Sequence, residues 1–312
     1  MAGFDRTTYI KGPAIVTHDS QTYYSEGDIR VTDISESFDI SSAVDGKIDE
    51  RLKSAAWEIA FTPVGEVEAA AKYFPWNVDN IGENIFGATD LTVAVQSKAG
   101  QLETWANGAV IRMPVVNLSA QVIPFAEMRI LCLNKKDTDR TTEGAFMALT
   151  ANAFSNTDFD ETKILTPGYT AAYGGSPYAE MNSISGFVFD AGMVVRPEYV
   201  DRFGQIGATI TGFNPTVRFT PTGLTMAQWD TLVAVDGANA VEVGASFAAA
   251  GGTDLIINKA AGNLKVTLFD AGIRTSGNIF GNTASRFSEL LFIGKQTYSS
   301  GVRAARFQIE IE

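Results

Sequence analysis

Short runs in which apolar and polar residues alternate dominate this chain, and turn residues break them at close intervals. Residues 57–61 (Trp-Glu-Ile-Ala-Phe) have the period of two that sends successive side chains to opposite faces of a half-buried strand. Pro63 then stops the hydrogen-bond ladder. The same reasoning predicts a strand over 8–17, interrupted by Gly12-Pro13, and others over 91–96, 102–105, 109–112, 115–123 and 128–133. Gly87, Gly100 and Asn107-Gly108 supply breaks among them. Residues 65–74 have helical composition (Glu66, Val67, Ala69, Ala70, Ala71, Tyr73) behind a Thr-Pro start, so one short helix is expected there.

The same order of elements then returns. Strands are expected over 216–219, 255–258, 264–269, 272–275 and 289–293, with a helix over 224–233 that follows Pro221. Phe61-Thr62-Pro63-Val64-Gly65 reappears as Phe219-Thr220-Pro221-Thr222-Gly223, an offset of 158 residues. Asp90-Leu91 is answered by Asp254-Leu255 at an offset of 164. At an offset of 162, Gly100-Gln101-Leu102, Ile111-Arg112 and Phe125-Ala126-Glu127 are answered by Gly262-Asn263-Leu264, Ile273-Arg274 and Phe287-Ser288-Glu289. Near-constant spacing confines insertions to a few loops, as an internal duplication requires. The expected fold class is mainly β with short helices: two tandem β-sandwich domains, each with one flanking helix. The first domain is placed at 1–137, a linker at 138–180 and the second domain at 181–312.

Length agrees with two cores, because 312 residues exceed the roughly 250–300 at which one core stops growing. The 24 basic residues against 36 acidic ones leave a net charge of −12, which argues against a protein that grips nucleic acid phosphates. No apolar run is long enough for a membrane-spanning helix and no secretory signal is read, so no membrane partner is expected. Acidity concentrates over 19–50, with nine acidic residues against Arg30 and Lys47, while Ile29, Val31, Ile34, Phe38 and Ile40 keep a partly alternating pattern. This stretch is expected to be a long, exposed, acidic arm lying on a neighbouring subunit, without a counterpart of equal length in the second half. Within the linker, Asn156, Asp158 and Asp160 have the spacing of a calcium loop, but Glu161 replaces its glycine and Pro167 stands where its bidentate glutamate belongs.

Catalytic signals are lacking. Cys132 and His18 are each the only residue of their type, which removes disulfides, Cys-based metal sites and multi-histidine clusters. Cys132 is expected to be an inert core thiol and His18 a surface or turn residue beside Asp19. Glu66 with Glu68, and Asp49 with Glu50, have the makings of a carboxylate pair for glycoside hydrolysis, but helix N-terminal charges and a solvated turn are the preferred reading. The four tryptophans Trp57, Trp76, Trp105 and Trp229 suit a sugar cleft, yet core packing is preferred because Trp57 and Trp229 adjoin the repeated strand-helix unit. No enzyme, cofactor or metal is implied.

At Phe61-Thr62-Pro63-Val64-Gly65-Glu66, followed by Ala69-Ala70, Tyr73-Phe74-Pro75-Trp76 and Ile85-Phe86-Gly87, the sequence resembles the major tail tube proteins of long-tailed, siphovirus-type bacteriophages. The resemblance covers about 8–134 and recurs more weakly over about 183–298, where Leu224 replaces Glu66 and the aromatic-Pro-aromatic stretch is missing. It implies tail-tube-like β-sandwich domains with one helix, arms reaching to adjacent rings, and stacked rings around a DNA channel. Since single-domain members form hexameric rings, a duplicated chain implies a homotrimeric, pseudo-sixfold ring in the virion tail, assembled in the host cytoplasm. Tail terminator, tape-measure and distal tail proteins are the implied partners, with DNA passing through without being held. Asp90 and Glu103 are candidate carboxylates of the channel wall. Phe61, Thr62, Pro63 and Gly65, with Phe219, Thr220, Pro221 and Gly223, are the turn that defines the repeat. The competing expectations are another tail or baseplate ring protein and, from a different class, a secreted two-domain carbohydrate-binding β protein.

Overall fold

Alternation of apolar and polar residues produces strands over most of the described residues. The computed structural model describes residues 14–86, 91–97, 100–119, 124–134, 147–151, 164–176, 178–200, 204–233, 253–259, 263–275, 289–294, 298–299 and 302–311. β1 (Ala14–His18) and β2 (Gln21–Tyr24) form a hairpin through Asp19 and Ser20, both at positive φ, as a tight two-residue turn requires. Next come β3 (Arg30–Asp33), β4 (Glu36–Ser42), β5 (Gly46–Ser54) and β6 (Ala56–Phe61). After α1 (Ala69–Tyr73) and a single 3₁₀ turn at Val78–Asn80, the half continues with β7 (Val93–Ser97), β8 (Gln101–Trp105), β9 (Gly108–Arg112), β10 (Val116–Leu118), β11 (Met128–Leu133) and β12 (Met147–Ala151).

The second half runs β13 (Thr170–Tyr173), β14 (Asn182–Ser183), β15 (Phe187–Asp190), β16 (Met193–Val200), β17 (Gly204–Phe213), β18 (Thr216–Phe219) and β19 (Pro221–Thr222). Beyond α2 (Met226–Val233) lie β20 (Leu255–Asn258), β21 (Leu264–Leu268), β22 (Ala271–Thr275), β23 (Leu290–Gly294), the small hairpin β24 (Tyr298–Ser299) and β25 (Val302–Arg303), and β26 (Phe307–Ile311). The fold is mainly β with short helices.

Sheet order repeats between the halves. The first half pairs β3-β6-β11-β9 in one sheet and β12-β8-β7-β1-β2 in another. In the second half the corresponding orders are β15-β18-β23-β22 and β26-β21-β20-β13. Corresponding strands thus occupy corresponding places, and β10 of the first half adds itself to the outer side of β15. Ring contacts close the space between the two sheets of each half: Tyr23 with Phe61 and Trp57 with Trp105 in the first, Tyr173 with Phe292 and Phe189 with Phe307 in the second. Trp105, Trp229, Phe213 and Phe219 are fully buried, each removing an apolar surface worth about 1.5–3 kcal/mol or more from water.

Two expectations need correction. The stretch expected as a linker supplies a strand to each half, since β12 pairs with β8 and β13 with β20; residues 152–169 separate the two strands, and Asn156, Asp158, Asp160 and Glu161 lie outside the described residues. The acidic arm does have a counterpart of equal length. β4–β5 and β16–β17 are the same hairpin at an offset of 158, with bulges at Glu36/Ser37 and Ile40/Ser41 answered by bulges at Val194/Val195 and Glu198/Tyr199.

Candidate assembly interface

Each repeated turn seats a helix against its sheets. Phe61 and Phe219 are buried at the ends of β6 and β18, and Pro63 and Pro221 are buried beside them, with Thr62 and Thr220 half-buried. Both turns are held from the preceding strand by matching backbone bonds, Glu26 N–H to Thr62 O at 2.9 Å and Ile184 N–H to Thr220 O at 3.0 Å. The two glycines serve different needs. A Cβ on Gly65 would collide with the Pro124 ring, whereas Gly223 has φ of +80° and open space around it. Tyrosine hydroxyls then donate into each helix, Tyr23 to Lys72 O at 3.0 Å and Tyr178 to Gln228 O at 2.8 Å.

Glu66 is not a solvated helix-end charge. It is buried and accepts from Lys72 Nζ at 2.8 Å, while that ammonium sits 5.6–5.7 Å from the rings of Tyr23, Tyr24 and Tyr73. Asp49 and Glu50 lie on exposed β5 instead of in a turn, paired with Arg51 and Lys47. His18 is likewise buried rather than at the surface. Its Nε2 lies 2.9 Å from Gly108 O, which can only accept, so the neutral ring carries its hydrogen there, and burial holds its pKa below the ordinary value. Tyr173 makes the equivalent bond in the second half, its hydroxyl donating to Ala271 O at 2.9 Å. Cys132 is buried in β11, its thiol pushed up to about 12 by burial. Trp105 and Trp229 are core residues, and Trp76 Nε1 donates to Val110 O at 2.8 Å.

Among the described residues the halves meet through two backbone-paired contacts, and the Phe74 and Phe189 rings also pack across the junction at 6.2 Å. In the first, β10 pairs with β15 in the register Val116–Phe189, Asn117–Val188 and Leu118–Phe187. In the second, the hairpin β16–β17 lies on residues 82–86 of the first half. Gly82 N–H donates to Ile210 O at 2.8 Å, Ile85 N–H to Ala208 O at 2.9 Å, and Ile210 N–H to Glu83 O at 3.2 Å. Gly207 allows this approach, because a Cβ there would come within 2.5 Å of Asn84 Nδ2. The start of β17 reaches the base of β4–β5, where a Cβ on Gly204 would meet Ser54 Oγ at 2.7 Å.

By contrast β4–β5 projects into solvent, with Phe38, Val44, Ile48 and Leu52 exposed. Its charges pair among themselves, Lys47 with Asp39 at 2.7 Å and with Glu50 at 2.8 Å, and Arg51 with Asp49 at 3.4 Å. On the neighbouring sheet face, Glu127 gathers Arg30 and Arg129, and Arg129 also reaches Glu58 at 3.1 Å. Burial alone would raise the Glu127 pKa, but Arg129 and Arg30 hold it below the ordinary value. Glu103 is half-buried on β8, on the face that carries Trp105, opposite Val95 and Leu149. Asp90 lies outside the described residues.

Sequence reasoning found the repeated turn and, within the strand expected over 115–123, β10, but it missed the second hairpin and the half-to-half contact that the two make. The signal for the hairpin was present in the offset of 158, which extends back from Phe61 and Phe219 through both bulges. Among the described residues no helix is long and apolar enough to cross a membrane, and no group of three His, Cys, Asp or Glu side chains converges as a metal site. No protein-family model matches the chain, and no curated protein is significantly similar to it.

Proposed function

We propose that this chain is a structural subunit of a phage tail tube, closing homotrimeric, pseudo-sixfold rings that stack into a channel for DNA. The observation that carries this reading is the repetition of one sheet order, one helix and one hairpin in both halves, joined by a contact whose equivalent on the first half, the edge of β3 and the hairpin β4–β5, has no partner among the described residues. A head-to-tail contact of that kind closes into a ring when its rotation divides a full turn, and six equivalent units on three chains satisfy that condition. Stacking of rings remains open and makes a filament.

Function then belongs to the wall of the channel. A net charge of −12 supplies carboxylates that repel DNA phosphates, so that the genome passes without adhering. Glu103 and Asp90 are the side chains we assign to that wall. Tail terminator, tape-measure and distal tail proteins are the partners at the tube's ends and within its bore. Negative-stain electron microscopy of the purified protein tests the reading. Tubes with threefold-averaged, six-lobed end views are expected, and a chain that stays monomeric at every concentration refutes it.

A further inference from the structure

The contact between the two halves has two backbone-paired parts, and the first half carries an exposed equivalent of each. The offset of 158 that superposes the repeated turns makes β3 the counterpart of β15: Arg30 faces Ala60 as Val188 faces Arg218, and Val31 faces Ile59 as Phe189 faces Val217. On β15 the outer edge is filled by β10, whereas the outer edge of β3 bears no strand among the described residues. The same offset makes Leu52 the counterpart of Ile210. Ile210 is fully buried against the first half, and Leu52 is 60% exposed.

We propose that β3 and the hairpin β4–β5 form one docking surface for the second half of another copy of this chain. The contact between chains then repeats the contact within the chain. β3 receives a strand as β15 receives β10, and β4–β5 lies on the neighbour as β16–β17 lies on residues 82–86. Both parts belong to a single interface, because within the chain the half that donates β10 is also the half that receives the hairpin. The occupant is a second copy because the surface is the counterpart of one that this chain already fills with its own other half. Its chemistry agrees: Ile48 and Leu52 offer apolar anchors, and the adjoining Lys47, Asp49, Glu50 and Arg51 are already ion-paired within the hairpin. Docking of the Ile48–Leu52 stretch therefore strands no lone charge there, and docking of β3 removes an unpaired strand edge that would otherwise invite indiscriminate pairing. The arm accordingly acts within a ring instead of reaching to the next one. This inference rests on the proposed tube only for the number of copies in the ring.

The test uses the full chain and two independent variants on the exposed hairpin, Ile48→Asp with Leu52→Asp and Phe38→Asp with Val44→Asp. Circular dichroism verifies the fold, and sedimentation velocity reads the assembly. Wild-type protein assembles, and each variant sediments as the 33.5 kDa monomer, with association weakened by roughly a hundredfold or more. Hydrogen exchange at the β3 amides slows when the wild type assembles and stays fast in the variants. Variants that build tubes in wild-type yield overturn the proposal. Variants that form single rings but no longer stack also overturn it, while leaving the tube reading intact. A wild-type chain that never assembles overturns both.

Discussion

Replacing Lys72 by methionine removes the cation of the buried pair while keeping a side chain of similar length. Glu66 and Lys72 expose only 7% and 9% of their side chains, and Glu66 Oε1 has no hydrogen-bond partner among the described residues. Loss of the ammonium leaves an uncompensated buried carboxylate, which costs about 3–5 kcal/mol. The lost attraction to three tyrosine rings adds roughly 0.5–2 kcal/mol. Combining Lys72→Met with Glu66→Leu removes both charges and their desolvation cost, so the double variant is expected within about 2 kcal/mol of wild type. The second half already carries an apolar residue at the position of Glu66: Leu224 stands five residues after Phe219, as Glu66 stands five after Phe61, and packs half-buried against the core. Urea unfolding of wild type, both single variants and the double variant, followed by circular dichroism at pH 7, gives the coupling energy. A coupling of at least about 2 kcal/mol is expected. A double variant as unstable as Lys72→Met, or a coupling near zero, would refute the argument.

Gly65→Ala drives a methyl group into Pro124 and should cost about 1–3 kcal/mol by overpacking, whereas Gly223→Ala meets no neighbour and should cost about 1 kcal/mol through its positive φ alone; equal midpoint shifts in thermal unfolding would contradict this. Ile210→Ala should destabilise the isolated chain by about 2–5 kcal/mol and Leu52→Ala by less than about 0.5 kcal/mol, since one counterpart is buried and the other exposed; similar losses in urea unfolding would sink the equivalence. Because burial lowers the His18 pKa, the unfolded chain takes up a proton below about pH 6.5 that the folded chain refuses, so stability falls as pH drops from 7 towards 5. His18→Gln removes this component, and parallel melting-temperature profiles for variant and wild type would refute it. Glu127, whose pKa is lowered, contributes above its unfolded value near 4.5 and loses that contribution in stronger acid, so the two windows separate.

Alternation made much of the fold legible. The strands expected over 57–61, 102–105, 109–112 and 128–133 appear as β6, β8, β9 and β11 with ends shifted by a residue or so, because each carries its own buried face. The helix expected over 65–74 shrinks to five residues: Gly65 is pressed against Pro124, and Glu66 is bridged to Ile164, which keeps the first turn non-helical. β10 was expected as part of a longer strand, 115–123, but its partner lies in the other half, and a local pattern carries no information about that partner. His18 and Glu66 defeated expectation for a related reason. Composition places a histidine or a glutamate at the surface unless a distant acceptor or cation compensates it, and Gly108 O and Lys72 are known only from the fold.

Why the second hairpin escaped detection bears on how the chain works. Paired through the offset of 158, Ile206 and Ile210 answer Ile48 and Leu52, but Gly207, Ala208 and Thr209 answer Asp49, Glu50 and Arg51. Apolar anchors are kept and the residues between them change from small to charged. Small residues suit a contact that never opens, because they let backbone approach backbone, as Ala208 O accepts from Ile85 N–H at 2.9 Å. Covalent linkage makes that contact intramolecular and gives it a high effective concentration, so its surface never has to be soluble alone. On the proposed docking, the hairpin β4–β5 is bare in the free chain, and paired charges around two apolar anchors suit a surface that meets both water and a partner. The divergence that hides the duplication in the sequence is therefore the divergence expected when one of two equivalent contacts has become permanent and the other still has to form between separate molecules.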